Sequence, residues 1–187
     1  MGPSDGKIQL VDVDSGTVVH HFLHDGGDIN DVCFSPDDSM LSSASDNHTA
    51  WLWDIQSGKV LHRLEHDYQV QACKFSPDGK QVVTGSSDFS AQVWDVQTGQ
   101  PIGERMRHQG EVSNASFSSD GKRILTSARD GTARIWDAST GKPIVPFMVH
   151  SSALREANFS PDGRIVVTVD HDALQVWDAA SGQPQNS

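Results

Sequence analysis

Four Trp-Asp dipeptides, Trp53-Asp54, Trp94-Asp95, Trp136-Asp137 and Trp177-Asp178, recur at intervals of 41, 42 and 41 residues. A fifth copy, Val11-Asp12, stands 42 residues before the first and has lost its Trp. Self-similarity at such a period marks an array: one supersecondary unit cannot bury its own faces and must stack on its neighbours. The repeat runs through nearly all of the 187 residues, so the chain reads as one array.

Within a unit the punctuation is regular. The second copy reads His66-Asp67-Tyr68-Gln69, an apolar run Val70 to Phe75, then Ser76-Pro77-Asp78-Gly79. Lys80 to Thr84, Gly85-Ser86-Ser87-Asp88, Ser90 to Trp94 and a closing Thr98-Gly99 follow. Runs of five to nine residues that alternate in polarity and stop at Gly, Pro, Asp or Ser are strands. Ser-Pro-Asp-Gly is a turn by mechanism: Pro presets φ, Asp caps, and Gly accepts a positive φ. It recurs as Ser35-Pro36-Asp37-Asp38, Ser118-Ser119-Asp120-Gly121 and Ser160-Pro161-Asp162-Gly163. Each unit therefore holds four short antiparallel strands, a to d, and the fold class is all-β.

The ordered phrases His, Phe-Ser-Pro-Asp-Gly, Ser/Thr-Gly-Ser-x-Asp, Trp-Asp and Thr-Gly resemble the WD-repeat β-propeller family over residues 7–183. The resemblance implies four-stranded blades arranged around a channel, four to this chain. Residues 1–6 read as a cloning remnant and 184–187 as a tail.

Each unit carries a His, a hydroxyl, an acid or amide and a Trp in register. The sets are His24, Ser43, Asn47, Trp53; His66, Thr84, Asp88, Trp94; His108, Thr126, Asp130, Trp136; and His150, Thr168, Asp170 or Asp172, Trp177. His, hydroxyl and carboxylate are also the parts of a nucleophilic triad. A catalytic site is single, however, whereas this set recurs in every unit. Recurrence fits hydrogen-bond chains that satisfy buried polar groups, as the resemblance also implies. No catalytic residues are assigned. Asn47 lacks the charge that would orient His24, and the fourth unit is one residue short, so the first and fourth chains are expected to be weaker than the middle two.

The remaining chemistry is sparse. His20, His21, His24, His62 and His66 invite a metal reading, but on a strand i and i+4 stand about 13 Å apart, so no metal is expected. No motif calls for a cofactor. Lys and Arg number 14 against 25 Asp and Glu, a net charge of −11 that repels phosphate backbones. Nucleic-acid binding is not expected, and a basic or amphipathic partner is. No apolar run is long enough for a membrane helix. Cys33 and Cys73 sit at different offsets in corresponding strands and should face opposite sides of their sheets, with Cys73 buried and no disulfide. A reducing, cytoplasmic setting is favoured on that basis.

In the resembled family the d–a and b–c loops form the docking rim. Here they carry Asp25, Asp28, His48, Asp67, Tyr68, Phe89, Arg129, Arg155 and Glu156. Tyr68, Phe89, Arg129, Arg155 and Glu156 are the candidate binding residues; the aromatics either anchor a partner or cover a neighbouring blade. Trp51 replaces the Gln92, Arg134 and Gln175 of the other units and is either an exposed contact or packing against the next blade.

Counting strands gives c (7–12), d (17–24), three full sets, then a, b and c. Rings of this family commonly close with more blades than four, which leaves apolar flanks open. The expected solution is a two-fold homodimer forming an eight-bladed ring, residues 17–24 of one copy completing the blade begun by 153–178 of the other. The leading functional expectation is a non-catalytic interaction scaffold that self-associates and binds a protein or peptide on its loop rim. A second is a fragment or engineered half whose main property is self-assembly. A third is an enzyme or ligand-binding propeller with a site in its channel.

Overall fold

The computed structural model describes residues 6–185. The remnant assigned to the first residues and the end of the tail, at 1–5 and 186–187, lie outside that range. The chain opens with a hairpin, β1 (Lys7–Val11) and β2 (Val18–Leu23), which form a two-stranded sheet. Three four-stranded antiparallel sheets follow. Blade 1 is β3 (Ile29–Phe34), β4 (Met40–Ser45), β5 (Thr49–Asp54) and β6 (Val60–Glu65). Blade 2 is β7 (Val70–Phe75), β8 (Gln81–Ser86), β9 (Ser90–Asp95) and β10 (Pro101–Arg107). Blade 3 is β11 (Val112–Phe117), β12 (Arg123–Ala128), β13 (Thr132–Asp137) and β14 (Met148–Val149). A three-stranded sheet, β15 (Glu156–Phe159), β16 (Ile165–Val169) and β17 (Leu174–Asp178), ends the array.

The a–b turns show what the Ser-Pro-Asp-Gly phrase does. Ser76 Oγ donates to Asp78 Oδ1 at 2.6 Å and accepts the Gln81 amide at 3.0 Å, while Gly79 takes φ 71°. Ser118 and Asp120 repeat this without the Pro, so the hydroxyl–carboxylate pair, not the ring, closes the turn. Asp38 adopts φ 57° in place of the Gly. In blade 3 the d strand shrinks to two residues, with a lone bridge from Trp136 to Pro143. Pro143 and Pro146 offer no amide to the ladder, which explains the gap.

The core lies between sheets. Leu52, Ala50 and Leu64 of blade 1 meet Val70, Phe75, Val82 and Trp94 of blade 2. The same pattern joins blade 2 to blade 3 through Val93, Met106, Ile124 and Trp136, and blade 3 to the last sheet through Ile135, Met148, Val166 and Trp177. The hairpin supplies Ile8, Leu10 and Phe22 against Leu41, Trp51 and Trp53. Each Trp thus plugs the seam with the preceding unit. Cys33 and Cys73, on opposite faces of their own sheets, both reach the seam between blades 1 and 2, and both are free thiols. Burial pushes the Cys73 thiol pKa well up, so it stays protonated.

The two ends differ. Val32 and Phe34 correspond to the buried Cys73 and Phe75 yet are 44% and 49% exposed, because the hairpin has no a and b strands to cover them. At the other end Leu174 is 64% exposed. Beyond residue 183, Pro184 bridges Trp177 and the Gln185 amide donates to the Val176 carbonyl at 2.8 Å, so this stretch starts a fourth strand on β17.

Candidate functional site

Two kinds of site emerge from this frame: polar chains buried in the seams, and clefts on the rim. In blade 2 the indole N–H of Trp94 donates to Thr84 Oγ1 at 2.8 Å, and Thr84 Oγ1 lies 2.7 Å from His66 Nε2. His66 Nδ1 lies 2.8 Å from Asp88 Oδ2. A carboxylate can only accept, so it selects the Nδ1–H tautomer; Thr84 then donates to Nε2 and takes the indole proton on its lone pair. Burial alone would raise the Asp88 pKa, but hydrogen bonds from His66 and Ser90 outweigh it and hold the carboxyl well below the usual range. Blade 3 repeats the chain through Trp136, Thr126 and His108, with His108 Nδ1 at 3.3 Å from Asp130 and 3.2 Å from Thr132.

The fourth chain departs from the expectation of weakness. Trp177 donates to Thr168 at 2.7 Å, Thr168 meets His150 at 2.5 Å, and His150 Nδ1 lies 3.1 Å from Asp170. Asp170 is the acid, since its other oxygen caps the shortened turn by accepting the amides of Asp172 and Ala173. Those amides hold its pKa down to about 2. The first chain stops early. His24 meets Ser43 at 2.6 Å and Trp53 donates to Ser43 at 2.8 Å. Asn47, placed with this chain on sequence grounds, does not bond His24; its Oδ1 accepts from Thr49 instead. His24 Nδ1 is buried without a partner, and no carboxylate fixes the tautomer of this ring.

Trp51 takes up the slack. It is only 2% exposed and packs backward against the hairpin, neither outward nor on the next blade. Its ring stacks on His24 at 4.3 Å, its N–H donates to Thr49 at 2.7 Å, and the Arg63 guanidinium sits 4.2 Å above it. The Asp of each Trp-Asp phrase has a local duty that the sequence reading did not assign. Asp12, Asp54, Asp95, Asp137 and Asp178 each accept an amide of the following c–d turn, from Ser15, Ser57, Thr98, Thr140 and Ser181. His20 and His62 contact the carbonyls of Gln56 and Gln97 across the seams. Among the described residues no three His, Cys, Asp or Glu side chains converge as metal ligands.

Four of the five candidate rim residues fall into two clefts. Tyr68 and Phe89, 60% and 47% exposed, line a cleft of about 600 Å³ together with His48, Asp67, Asp88 and Glu111. The His48 ring stacks on Tyr68 at 5.5 Å. Arg129 and Arg155 line a second cleft of about 400 Å³ with Leu154 and His171, and an Arg155 guanidinium nitrogen lies 3.2 Å from the His171 ring. An ion pair between Arg129 and Glu111, 3.2 Å apart, joins the clefts. Glu156 stands outside both, accepting from Asn158 at 2.9 Å. The sequence reading missed Glu111 and His171. His171 was findable, since it follows Asp170 as Phe89 follows Asp88.

His48 and Phe89 share a further property. They occupy the turn position that Gly131 fills in blade 3, with φ of 71° and 66° against 78°. A left-handed backbone costs a residue bearing Cβ about 1 kcal/mol or more. Phe89→Gly is therefore expected to stabilise the fold by about 1 kcal/mol in urea denaturation; a loss of stability would show that the ring's own packing outweighs the strain.

Residues 1–179 match the family model described as Nucleolar protein 10-like, N-terminal domain, a β-propeller model. The chain belongs to this WD-repeat β-propeller family. It is 34% identical over 65 residues to the WD repeat domain-containing protein 83 homolog of Dictyostelium discoideum, covering 35% of this chain and 20% of that protein. It is 29% identical over 63 residues to Autophagy-related protein 16 of Arabidopsis thaliana, covering 34% and 12%. Among solved structures, the computationally designed Ika8 protein superposes with a TM-score of 0.86 at 31% identity, over 98% of this chain and 56% of that one. The WD-repeat chain thus spans a fifth or less of these curated relatives, and just over half of the solved structure.

Proposed function

We propose that the chain is a non-catalytic interaction module that docks a protein or peptide on the rim of its d–a and b–c loops. The observation that carries this reading is the cleft of exposed aromatics: Tyr68 and Phe89 stand open together in one concave site on the rim. Large aromatics that meet solvent at a concave site are the usual anchors of a partner. The buried His, Thr and Asp sets of blades 2 and 3 and of the last sheet are occupied with one another, which speaks for scaffold duty over catalysis. A photo-crosslinking residue at position 89 should yield adducts with a partner, and one at Asp78 on the opposite rim should not. Equal capture from both positions would defeat the proposal.

A second reading, self-association, is favoured by the open ends. Val32 and Phe34 wait at one flank for an a–b pair, and β16 and β17 present Leu174 at the other. A second copy in a two-fold ring would cover both, although the strand begun by Pro184 and Gln185 must first leave the β17 edge. Further blades of a longer polypeptide would cover the same surfaces. Light scattering should give twice the chain mass of 20.3 kDa; a stable single-chain particle rules out the ring of two.

A further inference from the structure

We propose that the cleft between Tyr68 and Phe89 receives the cationic side chain, Lys or Arg, of a basic segment of a partner protein; this rests on the rim-docking reading above. Three carboxylates, Asp67, Asp88 and Glu111, line the cleft, and no Lys or Arg is among its described lining residues. Tyr68 and Phe89 present exposed rings to it, and the His48 ring stacks on Tyr68 at 5.5 Å. A cation over aromatic faces with carboxylates at the perimeter is favourable on both counts. An acidic segment would meet repulsion there, and a purely apolar anchor would strip water from carboxylates and return nothing.

The neighbouring arginines sharpen the assignment. Arg105 Nη1 lies 3.0 Å from Asp67 and 3.4 Å from Asp88, and Arg129 approaches Glu111 at 3.2 Å. Asp88 is buried and already engaged by His66, so its role is field, not contact. Asp67 and Glu111 pair with partly exposed arginines, an arrangement that binds weakly and leaves oxygen lone pairs for an incoming cation. The net charge of −11 draws a basic segment toward the rim from a distance and makes its association sensitive to salt.

The test titrates the full ¹⁵N-labelled chain with acetyl-Gly-Arg-Gly-amide and acetyl-Gly-Lys-Gly-amide, with Gln and Glu versions as comparators. The cationic peptides are expected to shift the amides of Tyr68, Gln69, Ser87 and Phe89 saturably, with affinity on the order of millimolar. Added salt should weaken this, and the Gln and Glu peptides should not reproduce it. Phe89→Gly and Glu111→Gln should each weaken binding about tenfold. Phe89→Gly keeps the turn, because glycine suits the φ of 66°, so a loss there cannot be a failure to fold. Equal shifts with the Gln peptide would overturn the cation assignment while leaving rim docking intact. Shifts elsewhere, or none with any peptide, would overturn it as well, and the crosslinking at position 89 then decides whether rim docking falls with it.

Discussion

Thr84→Val is expected to cost the fold about 3 kcal/mol, more than any exposed substitution on the rim. Val keeps the shape and removes only the hydroxyl. The hydroxyl is fully buried and is the one partner of both the Trp94 indole N–H and His66 Nε2. Neither group has water at hand, so each is left with an unmet hydrogen bond worth about 1–3 kcal/mol. Low polarity in the seam sharpens the loss, since hydrogen bonds along a chain support one another. Thr84→Ser should recover most of the stability, because it restores the oxygen. Thr98→Ala provides the contrast: its hydroxyl is hydrogen-bonded too, to the Asp95 carboxylate, but on an exposed turn where water replaces it. Urea denaturation at pH 7 would measure all three. A Thr84→Val change within about 0.5 kcal/mol of wild type would mean that the chains are ornaments of the seam and not among its supports.

The repeat made most of this legible before any coordinates. Turns, strands and the four hydrogen-bond sets follow from phrases whose residues act on neighbours a few positions away. What stayed hidden depends on contacts between units. Val11-Asp12 is the clearest case. Its Asp caps the c–d turn through Ser15, and among the described residues the hairpin offers no b-strand hydroxyl for a Trp to meet. Asn47 misled for a related reason: amide and acid cap the turn equally well through one oxygen, so the difference falls wholly on His24, 23 residues away in sequence. The rim cleft is harder still, because Glu111 reaches it from the next blade. The open flanks were expected from the strand count, and Val32, Phe34 and Leu174 are the side chains they leave exposed.

Acid should weaken the fold through two buried histidines, His24 and His108. Burial holds the His24 pKa at about 4 against an ordinary 6.5, with Asp25 raising it and Arg63 lowering it. Burial and then Arg134 hold His108 at about 4, although Asp130 pulls the other way. The unfolded chain therefore binds a proton at each site more tightly than the folded chain does. Their contribution to stability is complete above about pH 6.5 and drains away as pH falls toward 4, by about 3 kcal/mol for each histidine. The carboxylates act in a lower window. Asp88 and Asp170 are both held below the ordinary 3.8, so what they contribute is kept above that value and lost only beneath it. Denaturation midpoints should accordingly fall between pH 6.5 and 4.5, before Asp88 and Asp170 titrate. Asn47→Asp separates the two histidines. It supplies a carboxylate beside His24 Nδ1, which favours the charged ring against burial, so the share of the pH slope owed to His24 should shrink while that of His108 remains. A flat profile over that interval would mean that water reaches both rings; an unchanged slope in the variant would mean that the aspartate, like the asparagine, never meets His24.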